Sequence, residues 1–128
     1  MGRRVLIVDD SYGDRMILKD LLISFGYHVV GEAKSGKELI EMYDEVKPDL
    51  VILDAAMKEM DGPSTVRTLM WDHPEAVVLV AAGHGQRSLA IESLHAGAKD
   101  FVTKPFKPRQ LMRAINLLIR QSLPTESG

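Results

Sequence analysis

Val5-Leu6-Ile7-Val8-Asp9-Asp10, Leu50-Val51-Ile52-Leu53-Asp54 and Phe101-Val102-Thr103-Lys104-Pro105 share one plan: a short strand-forming run that ends on a charge. In an open parallel α/β sheet, ligands collect outside the carboxyl ends of the strands. Charges placed there by separate strands converge on one point although they lie far apart in sequence. Three crowded carboxylates repel one another unless a cation sits among them, and oxygen ligands with waters to spare suit Mg²⁺. A lysine beside them is a point charge able to hold a phosphate. Asp9, Asp10, Asp54 and Lys104 therefore read as a site for moving a phosphoryl group onto a carboxylate.

Working outward from these runs, the apolar pattern alternates between short continuous stretches and helical spacing. Leu18, Leu21, Leu22 and Phe25 recur at helical intervals, and Gly26 closes that helix with a left-handed cap. His28-Val29-Val30 reads as a second strand. Ser35 with Glu38 reads as a capping box for a helix that ends near Pro48. A helix follows Gly62-Pro63, with proline in its first turn. Val77 to Ala81 reads as the fourth strand and Ser88 to Ala96 as a helix closed by Gly97. The fifth strand ends at Lys104. A last amphipathic helix from near Pro108 carries Leu111, Ile115, Leu118 and Ile119. Five strands alternating with five helices predict a parallel sheet covered on both faces.

The 128 residues suffice for one domain with a single sizeable core, expected over residues 1–121, with a polar tail at 122–128. A net charge of −2 gives no reason to expect a nucleic-acid or acidic-membrane surface. With no cysteine, disulfides, thiol catalysis and thiolate metal sites are excluded. No apolar run approaches the about 20 residues that span a bilayer, and Met1-Gly2-Arg3-Arg4 leads into a strand without a signal-peptide core. The expectation is a cytoplasmic domain.

Asp9-Asp10 carries more negative charge than a helix cap needs. Pro105 favours an extended conformation for Lys104, aiming its side chain along the strand end. Asp61-Gly62 reads as turn chemistry, with Met57 and Met60 packed beneath the loop. His28, His73, His84 and His95 are scattered, which argues against zinc; His84 alone lies near the end of the fourth strand and is read as a bystander.

Together with Pro48-Asp49 before the third strand, Met60-Asp61-Gly62, and Gly97-Ala98-Lys99-Asp100 before the fifth, these motifs closely resemble the receiver domain of two-component response regulators. The resemblance runs from Arg4 to about Arg120. Met1-Gly2-Arg3-Arg4 and Gly31-Glu32-Ala33 look like the single-domain chemotaxis regulator group. It implies a flavodoxin-like, doubly wound sheet of strand order 2-1-3-4-5. It also implies that Asp54 takes a phosphoryl group from a histidine kinase and that the domain then switches binding of a downstream protein, such as the flagellar motor or another regulator. Asp9, Asp10, Asp54 and the Ala56 carbonyl would hold Mg²⁺, and Lys104 would pair with the phosphoryl oxygens. Phe101 matches an aromatic position that rotates inward on activation.

Two residues depart from the family pattern. Ala82-Gly83 stands where Ser or Thr followed by Ala is usual, so the hydroxyl linking phosphoryl group to aromatic switch is missing. Backbone amides of Ala55, Ala56 and Gly83 remain available in principle. Lys58 replaces a proline usual after the phosphoacceptor. Competing functions have weaker support. A dehalogenase-type phosphatase needs a DxD motif and room for a cap, and an FMN carrier needs a hydroxyl- and glycine-rich loop where two carboxylates stand. A degenerate receiver acting as an unphosphorylated adaptor, or a receiver cut from a longer regulator, stays open beside the phosphoacceptor.

Overall fold

The computed structural model describes residues 3–122. Its elements are β1 (Arg4–Val8), α1 (Tyr12–Ser24), β2 (His28–Ala33), α2 (Gly36–Val46), β3 (Leu50–Asp54), α3 (Gly62–Asp72), β4 (Val78–Ala82), α4 (Arg87–Ala96), β5 (Asp100–Thr103) and α5 (Pro108–Ser122). The strands form one sheet in the order β2-β1-β3-β4-β5, every pairing parallel. That is the doubly wound, flavodoxin-like arrangement expected. α5 runs one residue past the expected boundary at 121, and the rest of the expected tail lies outside the described residues.

Period-two alternation explains why β1, β3 and β4 read as continuous apolar runs: successive side chains enter opposite faces, and both faces are covered. Leu6, Val8, Val51, Leu53, Val78 and Val80 pack with Leu39 and Tyr43 of α2, Val66 and Leu69 of α3 and Ala90 of α4. Val5, Ile7, Leu50, Ile52 and Leu79 face the other way, against Leu18 and Leu22 of α1 and Leu111, Ile115, Leu118 and Ile119 of α5. The central strands are at most 6 % exposed at every residue of β3 and β4. This rigid three-strand centre holds the acidic strand ends in place.

The helix ends follow their local chemistry. α1 ends in the paired backbone bonds of a Schellman motif, Gly26 N–H to Ile23 O and Tyr27 N–H to Leu22 O, with Gly26 at φ 89°. Ser35 Oγ accepts from Glu38 N–H at 3.1 Å, but the returning Glu38 carboxylate takes the N–H of Lys34, one residue before the cap, so the capping box is only half formed. Asp61 caps α3 by accepting from Ser64 N–H at 3.0 Å, which gives the expected turn residue a helix-starting role. Met57 is buried beneath this loop, and Met60 only half-buried.

Some boundaries differ from expectation. β2 continues to Ala33 because its backbone keeps pairing with β1 through a bulge opposite Val5 and Leu6, although Gly31-Glu32 breaks the apolar run. β4 starts and ends one residue later than expected, and β5 stops at Thr103, so Lys104 stands just beyond the sheet. α4 begins one residue early, at Arg87. No helix among the described residues is long and apolar enough to cross a membrane.

One packing contact gives a direct stability test. A Cβ built on Gly36, in the first turn of α2, overlaps the Thr65 hydroxyl and lies 3.1 Å from Thr65 Cβ. Thr65 is fully buried on α3 and its Oγ1 donates to Asp61 O at 2.8 Å. Gly36→Ala must push α2 from α3 or break that hydrogen bond. Overpacking of this kind costs about 1–3 kcal/mol, so the urea midpoint is expected to fall with the m-value unchanged. An unchanged midpoint would show that the α2–α3 contact yields freely.

Candidate functional site

β1 and β3 lie side by side at the sheet centre, and the chain leaves their carboxyl ends in opposite directions to β2 and β4. Asp9 and Asp10 follow β1 directly, and Asp54 is the last residue of β3. One carboxylate oxygen from each lies within 4.8 Å of the others. Lys104 arrives from the end of β5, placed by its backbone N–H on Ala82 O at 2.8 Å. Its peptide bond to Pro105 is cis. The four residues singled out by their strand-end positions therefore meet at one place.

Asp9 is buried, with Oδ1 accepting from Ser11 N–H at 2.9 Å and Oδ2 accepting from Lys104 Nζ at 2.8 Å. Its backbone carbonyl accepts from the buried Arg15 guanidinium at 2.7 Å. Ser11 rather than either aspartate caps α1, so neither carboxylate is needed as its helix cap. Asp10 is exposed, and its Oδ2 accepts from Lys58 N–H at 3.3 Å, which ties the β3–α3 loop to the end of β1. Lys58 is exposed.

Asp54 is 6 % exposed. Its Oδ1 lies 3.3 Å from Lys104 Nζ as an ion pair, outside hydrogen-bond geometry, and is a buried oxygen without a hydrogen-bond partner. Burial raises the Asp54 pKa to about 6, against the opposing pull of the Lys104 charge and the Ala56 N–H, with Asp9 adding to the rise. Desolvation outweighs the crowding of carboxylates here. Asp54 thus brings to the end of β3 a buried carboxylate oxygen without a hydrogen-bond donor.

Lys104 is the counter-charge. Burial works against its charge, and is outweighed by hydrogen bonds to Asp9 and Asp14 and by the charges of Asp54 and Asp9, so its pKa stands above the ordinary lysine value. Asp14, at 2.9 Å from Nζ, escaped the sequence reading. Its signal was the Ser11-x-x-Asp14 pattern: Ser11 Oγ accepts from Asp14 N–H at 3.3 Å, which fixes Asp14 in the first turn of α1 above the strand ends.

The three backbone amides behave differently from one another. Ala55 N–H donates to Ala81 O at 2.9 Å and is committed to the sheet. Gly83 N–H donates to Gln86 Oε1 at 2.7 Å, so a side chain already fills its acceptor position. Ala56 N–H faces Asp54. Ala82 is 2 % exposed at the end of β4 and brings no hydroxyl to the pocket. Phe101 is half-buried, with the Arg87 guanidinium 6.0 Å from its ring centroid. Gln86 and Arg87 are consecutive, so the start of α4 touches both the Gly83 amide and the aromatic ring. His84 is exposed, whereas His73 pairs with Asp44 at 3.0 Å and packs on Tyr43, away from the strand ends.

The chemistry of the donor set fits a hard divalent cation. Three carboxylates at this spacing, with Asp54 Oδ1 lacking a hydrogen-bond donor, suit Mg²⁺ with waters completing its shell, and no nitrogen or sulfur ligand is present among them.

Known proteins similar to this chain fall in one family. The response regulator receiver domain family matches residues 5–116. The chain is 47 % identical to the chemotaxis protein CheY of Thermotoga maritima over 116 residues, covering 91 % of this chain and 97 % of that one. It is 41 % identical to the CheY of Bacillus subtilis over the same shares. Among solved structures, the response regulator domain of Thermotoga maritima CheB superposes with a TM-score of 0.81 at 34 % identity, covering 91 % of this chain and 96 % of that one. A response regulator receiver domain protein of Clostridium thermocellum superposes with a TM-score of 0.85 at 29 % identity, covering 92 % and 94 %.

Proposed function

The chain belongs to the response regulator receiver domain family, and from that premise we propose that Asp54 accepts a phosphoryl group from a histidine kinase and so switches the binding of a downstream protein. The observation that carries this reading is the buried Asp54 oxygen, without a hydrogen-bond donor, beside Lys104 and two further carboxylates. Asp9, Asp10, Asp54 and the Ala56 carbonyl would hold Mg²⁺, which when bound neutralises charge on the transferring oxygens.

In the transfer, an Asp54 carboxylate oxygen attacks phosphorus in line while the bond from phosphorus to the kinase imidazole nitrogen breaks, the electron pair leaving with the nitrogen. Catalysis consists of alignment and charge neutralisation, because a carboxylate is a weak nucleophile. Burial helps by raising the basicity of Asp54. Lys104 supplies a donor to a phosphoryl oxygen, and Ala56 N–H a second. Water attacking the acyl phosphate later returns the site to its starting state, so the domain resets itself without being a turnover enzyme.

The likeness to chemotaxis CheY proteins supports an output in motility, with a flagellar motor component or another regulator as the partner. Intact-mass analysis with acetyl phosphate and Mg²⁺ tests the reading. One added phosphate is expected in the parent and none in EDTA or in Asp54→Asn. Labelling that persists in Asp54→Asn would move the acceptor elsewhere.

The acidic cluster gives a second expectation. Asp10 is the exposed member of the three, and its charge opposes Asp9 and Asp54 when no cation is present. Asp10→Ala is expected to raise the melting temperature of the metal-free protein and to abolish the Mg²⁺-dependent shift. A variant that melts lower and still responds to Mg²⁺ would remove Asp10 from the ligand set.

A further inference from the structure

The ammonium group of Lys104 has three hydrogens to donate. Two are spent on Asp9 Oδ2 at 2.8 Å and Asp14 Oδ2 at 2.9 Å, while Asp54 Oδ1 is left at 3.3 Å without a hydrogen bond. The lysine is thus held more firmly by the two carboxylates that do not receive the phosphoryl group than by the one proposed to receive it. Asp14 has no part in the acidic triad, whose three oxygens cluster without it. It reaches the pocket from α1, and its side chain is 41 % exposed.

Charge counting sets Asp14 apart from the three clustered carboxylates. Mg²⁺ and Lys104 together bring three positive charges, which balance Asp9, Asp10 and Asp54. Asp14 is a fourth carboxylate, one more than these three positive charges balance. The other cations of α1 are directed elsewhere: Arg15 pairs with Glu32 at 3.3 Å and donates to the Asp9 carbonyl, and Lys19 pairs with the same Glu32 at 3.2 Å. The third hydrogen is uncommitted, but Nζ can approach a phosphoryl oxygen on Asp54 only as far as its bonds to Asp9 and Asp14 allow, and Asp14 is the tether that is more exposed and outside the metal cluster.

We propose that Asp14 is a positioning residue that competes with the phosphoryl group for Lys104 and thereby slows phosphorylation of Asp54. The inference rests on the phosphoacceptor reading of Asp54. It assigns Asp14 a brake on a reaction whose chemistry belongs to Asp54, Lys104 and the metal. Asp14→Asn removes the charge and keeps the side-chain shape, while the backbone N–H that uses the Ser11 cap is untouched.

The test follows phosphorylation by small donors in parent, Asp14→Asn and Asp14→Glu, all with saturating Mg²⁺. With acetyl phosphate, the Asp54 carboxylate attacks phosphorus and acetate leaves; with phosphoramidate, ammonia leaves. Asp14→Asn is expected to be labelled about three- to tenfold faster, the scale of one charge-assisted contact at a part-exposed site. The gain should be larger for acetyl phosphate, a dianion at neutral pH, than for phosphoramidate, which carries less negative charge. Asp14→Glu should stay near the parent rate. Beryllofluoride affinity, read by fluorine NMR, should tighten in Asp14→Asn by a similar factor, a change that a loss of packing alone would not produce. A parent that is labelled normally, with Asp14→Asn equal or slower and beryllofluoride affinity unchanged, would overturn the brake and leave the phosphoacceptor standing. No labelling of either protein would overturn both.

Discussion

Asp54→Asn is expected to stabilise the metal-free protein at neutral pH. Asp54 is buried with its Oδ1 unpartnered, and its pKa is raised from 3.8 to about 6, burial being the main cause. Because the folded state holds this proton more tightly than the unfolded chain, Asp54 favours folding most below pH 3.8. That advantage is lost as pH rises towards 6, and above 6 the full cost of the buried charge is present. A shift of this size corresponds to about 3 kcal/mol as an upper figure. Lys104 keeps Asp9 and Asp14 as partners in the variant, so little of the gain is returned through an unpaired cation. Urea unfolding in EDTA should show Asp54→Asn about 1–3 kcal/mol more stable than the parent at pH 7, with the difference closing towards pH 4. Addition of Mg²⁺ should stabilise the parent more than the variant. A variant less stable than the parent at pH 7 in EDTA would mean that the Lys104–Asp54 attraction outweighs the burial of the carboxylate.

Ala82→Thr is expected to strengthen the response to phosphorylation by an order of magnitude or more. A two-state switch moves only by the difference in how a ligand interacts with its two states. A hydroxyl donating to the phosphoryl group would add roughly 1.5–3 kcal/mol to one of them, and about 1.4 kcal/mol is already a decade. In this chain the end of β4 offers Ala82 and then Gly83, whose N–H is held by Gln86 Oε1 at 2.7 Å. A phosphoryl oxygen must displace that carboxamide before it can pull on the β4–α4 loop, which weakens the net bias. Gln86 adjoins Arg87, whose guanidinium lies 6.0 Å from the Phe101 ring centroid, so such a displacement would be felt at the start of α4 next to the aromatic ring. Beryllofluoride-induced NMR shifts at Gly83 to Gly85 and at Phe101 should be partial in the parent and larger in Ala82→Thr. Equal shifts would show that the Gly83 amide and Gln86 carry the coupling without a hydroxyl.

The sheet was legible in the sequence because its central strands are buried on both faces and appear as unbroken apolar runs. The edge strand β2 was only half legible. Gly31 and Glu32 interrupt its pattern for local reasons: a Cβ at Gly31 would lie 2.7 Å from Leu6 Cδ1, and the Glu32 carboxylate is placed to meet Arg15 and Lys19. Neither reason has a sequence period. Asp9, Asp10, Asp54 and Lys104 were legible because position at a strand end is a one-dimensional property. Asp14 was legible only as the third residue past a Ser11 cap, because its reach to Lys104 depends on the rotation of α1 about its axis. The Gln86 contact to Gly83 was equally hidden, since a carboxamide folding back on a loop amide leaves no motif. The expected availability of the Ala55 amide failed for a plain reason: β3–β4 pairing continues through Ala81 O and consumes it.

Chemical trapping of the phosphorylated parent tests Asp54 as the acceptor at its source. After incubation with acetyl phosphate and Mg²⁺, borohydride reduces an aspartyl phosphate to homoserine, and peptide mass spectrometry locates the converted residue. Homoserine is expected at position 54 alone, absent when Mg²⁺ is chelated. Conversion at Asp9, Asp10 or Asp14, or none at all in a folded protein supplied with Mg²⁺, would contradict it.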